Sequence, residues 1–342
     1  MHPQDHQAAA IDPAPAPAGG AEPPGEPRGS DWLAPARGPL RGETSPGVTV
    51  HWLFLSDTVA VTRWRCLEHD PKPRGPKHQL WHAIGFLHGG SFRMRDASTL
   101  GVADITRLVF FNPRAPYETS HPCGCGDRGG CLVLRDDLAR SLVGQWDAAA
   151  AERDSEALFR PVLAPGEPRL HLELLALLRQ LGASPPGELE ALRVEETAIG
   201  LAARAVLRLA RLAAGARPRR ARLADVAAPG AGSRDDRIVA VQELLWRRLT
   251  AQQRLTDLAA EVGISAFQLC RQFRAATGST VHRYLTRLRL GQALELLENG
   301  GGDDLSGLAF DLGFSSHSHF TCAFRSEFGV TPSAFRAAAR SR

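Results

Sequence analysis

The spacing of apolar residues divides the chain into a strand-rich part and a helix-rich part. From residue 48, apolar and polar side chains alternate with the period of a β-strand, and one side of this strand holds Val48, Val50, Trp52 and Phe54. Further strand candidates lie between Gly- and Pro-rich turn clusters, at residues 59–66, 79–87, 91–95, 107–111 and 131–135. Short strands at such close spacing predict an antiparallel barrel or sandwich over residues 47–135.

The pattern becomes helical after residue 135. Residues 138–149, 169–181 and 188–214 have the three- and four-residue spacing of amphipathic helices. One face of the second helix consists of Leu170, Leu174, Leu177, Leu178 and Leu181. Such a face is typical of either a core or a dimer seam, so residues 136–214 are predicted to be a helical dimerisation or packing region.

Two segments lack both patterns. Residues 1–46 contain ten of the 24 prolines and few large apolar side chains, which predicts a disordered tail rich in Pro, Ala and Gly. Residues 215–234 are rich in Gly, Pro, Ala and Arg, which favours a linker. A second domain is therefore predicted at residues 235–342.

A weak internal repeat runs through this second domain. In its first part, one constant offset relates Leu255, Leu258, Ala259 and Gly263 to Leu305, Leu308, Ala309 and Gly313. In its second part the offset is larger by one, from Ser265, Leu269, Phe273, Arg274 and Gly278 to Ser316, Phe320, Phe324, Arg325 and Gly329. A single residue has therefore been inserted between the two parts of the second copy.

Each copy has the pattern of a helix-turn-helix. A short helix ends at a glycine, which tolerates positive φ, and a serine then caps the next helix. The predicted caps are Ser265 in the first copy and either Ser315 or Ser316 in the second. Residues 280–298, followed by GGG, predict a connecting helix. Its length of roughly 28 Å is suited to holding two recognition helices about one DNA turn, ~34 Å, apart.

Residues 235–342 resemble the DNA-binding domain of the AraC/XylS family of bacterial transcriptional regulators. The resemblance rests on the segments LTDLAAEVGIS, LCRQFRAATG, RLRLGQALELL and GFSSHSHFTCAFRSEFGVTPSAFR. It implies an all-α domain of two helix-turn-helix units and sequence-specific binding to promoter double-stranded DNA. It further implies contact with RNA polymerase if the protein is an activator. Activation and repression both remain open at this point.

The resemblance also implies which side chains face DNA. By position they are Ala266, Phe267, Cys270, Arg271 and Arg274 in the first unit and His317, Ser318, Thr321, Cys322 and Arg325 in the second. Arg271 is the strongest candidate for base reading, because a bidentate contact to guanine is worth about 1–3 kcal/mol of discrimination. A phosphate contact is its alternative. Cys322 stands where relatives often have an arginine. Phosphate binding, which weakens with salt, is expected of Arg271, Arg274, Arg287, Arg289 and Arg325.

For the N-terminal part, the resemblance implies a cupin-like sensor or dimerisation barrel at residues 47–135. The segments GFLHGGSFRM and VFFNPRAPYETSHPCGCGD look similar to parts of such domains. The interior holds either a pocket for an unknown small-molecule effector or packed side chains in a barrel that only dimerises. The expected fold is thus an α+β multidomain protein, a cupin-like β-barrel plus helices followed by the double helix-turn-helix, and the expected assembly is a homodimer.

Residue types suited to zinc or to a thiol switch cluster near the last strand. They are His121, Cys123, Cys125 and Cys131, with Cys66 or His69 as possible neighbours. The spacing matches no standard zinc site, and incidental thiols are the alternative, so no metal or cofactor is predicted. The three histidines His78, His82 and His88 lack the spacing of a cupin metal site and are interpreted as surface or core residues.

Composition narrows the class of protein only slightly. Hydrophobic residues make up 43% and charged residues 23%, which is typical of globular proteins. Basic residues number 41 against 37 acidic ones, and nearly all are arginines, but a GC-rich coding sequence gives the same bias. The chain shows no secretory signal and no membrane span, so a cytoplasmic location is expected. A cupin enzyme fused to a DNA-binding domain would need a catalytic metal triad or an activated cysteine motif. The sequence shows neither, so no enzymatic activity is predicted.

Overall fold

A computed structural model describes residues 47–124, 126–183, 186–215 and 233–340. Its strands are β1 (Val48–Leu55), β2 (Val59–Cys66), β3 (Arg74–Lys77), β4 (His82–Gly90), β5 (Phe92–Arg95), β6 (Leu100–Ala103), β7 (Arg107–Phe111), β8 (Tyr117–Ser120), β9 (Asp127–Leu134) and β10 (Leu163–Pro165). Its helices are α1 (Asp136–Gly144), α2 (Ala148–Ala151), α3 (Pro168–Ala183), α4 (Glu188–Gly215), α5 (Arg234–Arg247), α6 (Leu255–Glu261), α7 (Ala266–Thr277), α8 (Val281–Glu298), α9 (Leu305–Asp311), α10 (His317–Phe328) and α11 (Pro332–Arg340). The strands and α1 to α4 are called the N-terminal part, and α5 to α11 the C-terminal part.

The strands of the N-terminal part form two antiparallel sheets. Six strands follow the order β1-β2-β9-β4-β7-β10, and four follow the order β3-β8-β5-β6. The predicted mixture of sheet and helix is confirmed, but no ladder among the described residues joins the two sheets into a closed barrel. Strand β10, which returns after α1 and α2, pairs through Leu163 with Val109 of β7. It thereby forms one outer edge of the six-stranded sheet, beside β7.

The leucine face of α3 belongs to the interior of the chain. All five leucines predicted to form that face are buried, together with the inner residues Val61, Ile84 and Leu132 of the six-stranded sheet. The long helix α4 adds Ala198, Leu201 and other small and apolar side chains to the same core. Because burial of these side chains is already satisfied within one chain, the face is a core and not a dimer seam.

The C-terminal part has its own core, and the N-terminal part reaches into it. Ile105 and Leu175 are buried in the cluster formed by the C-terminal helices. Gly291 in α8 leaves room for this contact, since a Cβ at position 291 would lie 2.7 Å from Cγ2 of Ile105. The two parts therefore share a close-packed apolar junction.

Two predicted segments fall outside this description. The predicted tail, residues 1–46, lies outside the described residues, and so does the predicted linker apart from its ends at residues 215, 233 and 234. Among the helices that are described, none is long and apolar enough to cross a membrane.

Candidate nucleic-acid interface

The internal repeat corresponds to two helix pairs of the same construction. Helices α6 and α9 begin at the equivalent Leu255 and Leu305, and α7 and α10 begin at Ala266 and His317, where the offset is larger by one. The inserted residue lies in the turn of the second pair. Each turn contains a glycine with positive φ, +69° at Gly263 and +81° at Gly313. In each, the N–H of the residue after the glycine donates to the carbonyl of an alanine, Ala259 at 3.0 Å or Ala309 at 2.9 Å. The predicted double helix-turn-helix is therefore present.

The second helix of each pair is capped as the sequence predicted. The Ser265 hydroxyl accepts from the backbone N–H of Gln268, whose side chain accepts in return from the N–H of Ser265, which is a complete capping box. In the second copy the cap is Ser316 and not Ser315, because the Ser316 hydroxyl accepts from the N–H of His319. Both helices end at a left-handed glycine, Gly278 or Gly329.

Burial fixes which face of α7 and α10 is available to a ligand. Leu269 and Phe273 are fully buried in α7, as are Phe320 and Phe324 in α10. None of the ten residues predicted to face DNA is buried; Ala266 and Thr321 are partly buried, and the other eight are exposed. Phe267 retains 75% of its accessible surface. Both helices therefore present the predicted side chains outward.

The arginines predicted to bind phosphate fall into two groups. Arg271, Arg274 and Arg325 are exposed, and their side chains have no hydrogen bond or ion pair with any described residue. The side chains of Arg287 and Arg289 are engaged inside the protein, which contradicts their predicted phosphate contacts. The Arg287 guanidinium pairs with Glu327 at 2.5 Å and donates to the Gly166 carbonyl at 3.1 Å.

Arg289 links the two helix-turn-helix units. Its guanidinium donates to the carbonyls of Leu249 at 2.8 Å, Ala251 at 3.0 Å and Gly313 at 2.7 Å. The first two carbonyls precede α6, and the third lies in the turn of the second unit. Periodicity predicts the side of α8 on which Arg289 lies, but no sequence pattern marks backbone carbonyls as its partners.

The connecting helix α8 has 18 residues and is capped by Thr280, whose hydroxyl accepts from the N–H of Arg283. Its length of about 27 Å agrees with the predicted spacer. Seven of its residues are buried, including Tyr284, Leu288 and Leu294. The helix is thus packed on several sides, which makes it a rigid support for both units.

The N-terminal part contacts the C-terminal part through charged and polar groups. Arg107 donates to the carbonyl of Ala276 at the end of α7, at 2.9 Å. Arg93 donates to a carboxylate oxygen of Glu243 in α5 at 2.7 Å. These contacts join the strand-rich part to the first helix-turn-helix unit and to α5, and Ile105 adds a contact with α8.

The predicted metal candidates are only partly brought together. His121 lies beside Cys66 and Asp127, all three buried, while Cys123 and Cys131 join no such group among the described residues. Cys123 lies 4.0 Å from the carbonyl of Glu243, and Cys131 is in the middle of β9. Cys125 lies outside the described residues. The structure therefore does not group His121 with Cys123 and Cys131, because Cys131 lies further along β9 than Asp127 and Cys123 lies against the Glu243 carbonyl of α5.

The pKa values of the two strand thiols rise for the same reason. Burial, together with the negative charge of Asp127, raises the pKa of Cys66 to about 12. Burial raises the pKa of Cys131 to about 12 as well. Neither thiol is an activated nucleophile without a further positive charge beside it.

The structure also separates the three histidines considered for a cupin site. His82 bonds Asp136 at 3.0 Å, and His78 bonds the carbonyl of Arg114 at 3.0 Å. Burial lowers the pKa of His88 to about 3. His121, which sequence spacing did not place with the cupin histidines, is the one that lies among other ligand-type side chains. Asp127, its neighbour, is the last residue of the segment VFFNPRAPYETSHPCGCGD.

Comparison with known proteins places the similarity at the C-terminal part. A helix-turn-helix domain family matches residues 258–338. The HTH-type transcriptional activator RhaS of Escherichia fergusonii is 40% identical over 79 residues, which cover 23% of this chain and 28% of RhaS. RhaS of Pectobacterium atrosepticum is 33% identical over 113 residues, covering 33% of this chain and 40% of that protein. The chain thus matches less than half the length of these curated relatives.

Solved structures give two kinds of similarity. A transcriptional regulator with an AraC-type DNA-binding domain from Chromobacterium violaceum is 28% identical, with 31% of this chain and 94% of that chain covered and a TM-score of 0.30. ToxT from Vibrio cholerae is 11% identical, with 87% of this chain and 100% of ToxT covered and a TM-score of 0.32. The first similarity covers about a third of this chain, and the second covers most of it.

Proposed function

We propose that this protein, whose C-terminal part is an AraC-type helix-turn-helix domain, is a sequence-specific DNA-binding transcriptional regulator. The observation that carries the proposal is the pair α7 and α10. These two helices are of equivalent construction, each with a buried apolar face and an exposed face that holds arginine: Arg271 and Arg274 in α7, and Arg325 in α10. A helix of this kind fits the major groove, where its side chains reach the base edges.

Within this proposal, the exposed side chains have different tasks. Arg271 is assigned to base reading, because its guanidinium has no partner among the described residues and can form a bidentate contact with guanine. Arg274 and Arg325 are assigned to phosphates. They occupy matching positions in α7 and α10, directly after the buried Phe273 and Phe324, so the two units would contact the backbone in the same way.

The finer features of the proposal concern the N-terminal part. We assign residues 47–135 to a cupin-like sensor, residues 136–214 to a helical packing or dimerisation region, and residues 235–342 to DNA binding. An effector that binds the N-terminal part would act through the junction formed by Ile105, Arg93 and Arg107. A homodimer would place two copies on one promoter, and contact with RNA polymerase would follow if the protein activates transcription, as the RhaS relatives are named for doing.

Footprinting on genomic DNA tests the central proposal. Wild-type protein is expected to occupy discrete promoter sites, and Arg271→Ala protein to lose or redistribute that occupancy. Arg193→Ala provides a matched control, since Arg193 is an exposed arginine on α4 in the N-terminal part. Wild-type protein that protects no discrete sites would refute the proposal.

A further inference from the structure

Three ligand-type side chains meet in the N-terminal part, outside the recognition helices. Cys66 ends β2, Asp127 begins β9, and His121 directly follows β8. The Sγ of Cys66 lies 3.7 Å from Nε2 of His121, and that nitrogen lies 2.7 Å from Oδ2 of Asp127. One ligand atom from each residue lies within 4.8 Å of the other two, and all three residues are buried.

We propose that Cys66, His121 and Asp127 bind one zinc ion. A thiolate sulfur, an imidazole nitrogen and a carboxylate oxygen are the donors that zinc takes in proteins, at about 2.0 to 2.3 Å each. Atoms that surround one ion at those distances lie about 3 to 4 Å apart. The 3.7 Å between Sγ of Cys66 and Nε2 of His121 already matches this spacing, and the 2.7 Å between Nε2 and Oδ2 of Asp127 would widen by about half an ångström on binding. Three protein ligands leave one coordination position for water or another small ligand.

The backbone fixes two of the three ligands. Cys66 and Asp127 are opposite each other in the β2–β9 ladder, so strand pairing sets their separation before any metal binds. The backbone N–H of His121 donates to the carbonyl of Asp70 at 2.8 Å, which ties the third ligand to the segment after β2. Side chains held by a sheet in this way lose little further freedom on binding.

The groups around the cluster orient each donor atom. The Nε1–H of Trp64 donates to Oδ1 of Asp127 at 2.6 Å, which leaves Oδ2 facing His121. On the other side of the imidazole, Nδ1 faces Oε2 of Glu68 at 3.8 Å. Glu68 is in turn close to Lys77 at 3.7 Å and Arg74 at 3.6 Å. A carboxylate behind a ligating histidine is the usual outer partner of a zinc site.

The imidazole itself needs a positive charge at Nε2. A neutral imidazole has one N–H. If Nδ1 carries it toward Glu68, the lone pair of Nε2 faces the carboxylate of Asp127 at 2.7 Å, which is repulsive unless a cation lies between them. If Nε2 carries it, the buried Nδ1 has no hydrogen-bond donor to satisfy it. Zinc at Nε2 removes both conflicts, and its two charges match one thiolate and one carboxylate. An imidazolium without metal is the competing arrangement.

The experiment uses the full chain and needs no DNA, so its result is independent of the proposed function. Purified protein is loaded with zinc and dialysed, and zinc per chain is measured by mass spectrometry. We expect one zinc per wild-type chain. Replacement by Co²⁺ is expected to give the near-ultraviolet absorption of a thiolate–cobalt bond. Cys66→Ser should abolish that absorption, and the matched thiol variant Cys131→Ser should retain it.

A second variant separates zinc binding from folding. Glu68→Gln leaves all three ligands in place, and loss of this outer carboxylate is expected to weaken zinc affinity about 10- to 100-fold without changing the stoichiometry. Far-UV circular dichroism confirms that each variant is folded. The proposal is overturned if dialysed wild-type protein holds no zinc, as an imidazolium would require, or if folded Cys66→Ser protein binds zinc as tightly as the wild type.

Discussion

The hydroxyl of Tyr284, in the helix that joins the two helix-turn-helix units, donates a hydrogen bond to the carboxylate of Asp104 in the N-terminal part. Both side chains are buried. The same carboxylate oxygen accepts from Trp246 at 3.3 Å, and Gln242 donates to the tyrosine oxygen at 2.8 Å. Burial and the charge of Asp104 raise the pKa of Tyr284, which keeps its hydroxyl protonated as the donor.

Tyr284→Phe is expected to lower the free energy of unfolding by about 1–3 kcal/mol, because it removes a donor from a buried carboxylate and an acceptor from Gln242. Urea denaturation measures the effect. The only other tyrosine provides a control: the Tyr117 hydroxyl accepts a hydrogen bond from Gln79 at 3.0 Å and bonds no charged group among the described residues, so Tyr117→Phe should lower the free energy of unfolding by less. Equal losses for the two variants would contradict this role for Tyr284.

The two turn glycines form a matched pair for a second prediction. Gly263→Ala should lower the free energy of unfolding by about 1–2 kcal/mol, which is the strain of a left-handed alanine. No further loss is expected, because no atom of another described segment lies within 4 Å of the added Cβ. Gly313→Ala should cost distinctly more, since its Cβ would lie 2.7 Å from the carbonyl oxygen of Thr250 and 2.8 Å from the guanidinium of Arg289. Thermal unfolding of the two variants compares them directly, and a reversed order would contradict the packing described for Gly313.

Arg289 is expected to be irreplaceable by lysine. Its planar guanidinium donates to three carbonyls in different directions, and a single ammonium group on a flexible chain does not reproduce that fork. Arg289→Lys and Arg289→Ala should therefore destabilise the protein by similar amounts, of order 1–3 kcal/mol. Arg283→Lys, at an exposed arginine of the same helix, should change the unfolding midpoint little. Full rescue by lysine would show that charge alone matters at position 289.

The salt dependence of DNA affinity distinguishes arginines of α7 and α10 from an exposed arginine elsewhere on the protein. Loss of one phosphate contact reduces the slope of log affinity against log salt concentration by about 0.9. We expect this reduction for Arg274→Gln and for Arg325→Gln, and no such reduction for Arg193→Ala. Fluorescence anisotropy on a footprinted site at several salt concentrations measures the slopes. Unchanged slopes in both glutamine variants would remove these residues from the DNA interface.

His171 makes stability depend on pH. Burial lowers the pKa of His171 to about 4 in the folded protein, against 6.5 for an ordinary histidine. Between these values the unfolded chain binds more protons, so stability falls as the pH drops from 6.5 to about 4, by up to about 1.4 kcal/mol per pH unit. Burial lowers the pKa of His88 to about 3, so His88 also makes the stability fall as the pH drops.

When the His171→Leu variant is denatured across this pH range, its free energy of unfolding should fall less steeply with falling pH than that of the wild type. The exposed residue His51 provides a control, because His51→Gln should keep the wild-type slope. A slope unchanged by the loss of His171 would show that its imidazole is already charged in the folded protein.

Most structural features that depend only on residues close together in the chain could be predicted from the sequence. The turn glycines, the serine caps and the buried faces of α7 and α10 are local features, and the internal repeat showed each of them twice. The shortest strands were mostly missed, among them β3, β8 and β10. They contain too few alternating positions for a period to be recognised.

What the sequence did not predict depends on contacts between distant segments. Cys66 and Asp127 are far apart along the chain and meet only because β2 pairs with β9. Arg289 was expected at phosphates because a helical pattern shows that a residue is basic and on a surface, but not that three carbonyls face it. Strand spacing predicted a barrel or a sandwich, and only the family resemblance implied a cupin-like barrel. Strand β10 lies within residues 136–214, which were predicted to be helical.

The gap at Gly291 in α8, which Ile105 fills, affects which fragments of the protein are expected to be stable. We call this gap the notch. A fragment that begins just before α5 would carry both recognition helices but would expose this notch, along with Tyr284 and its polar partners, to water. Such a fragment would be prone to self-association and would melt at a lower temperature than the same helices in the whole chain. We therefore expect that a stable fragment must include Ile105 and Asp104 as well as the two helix-turn-helix pairs.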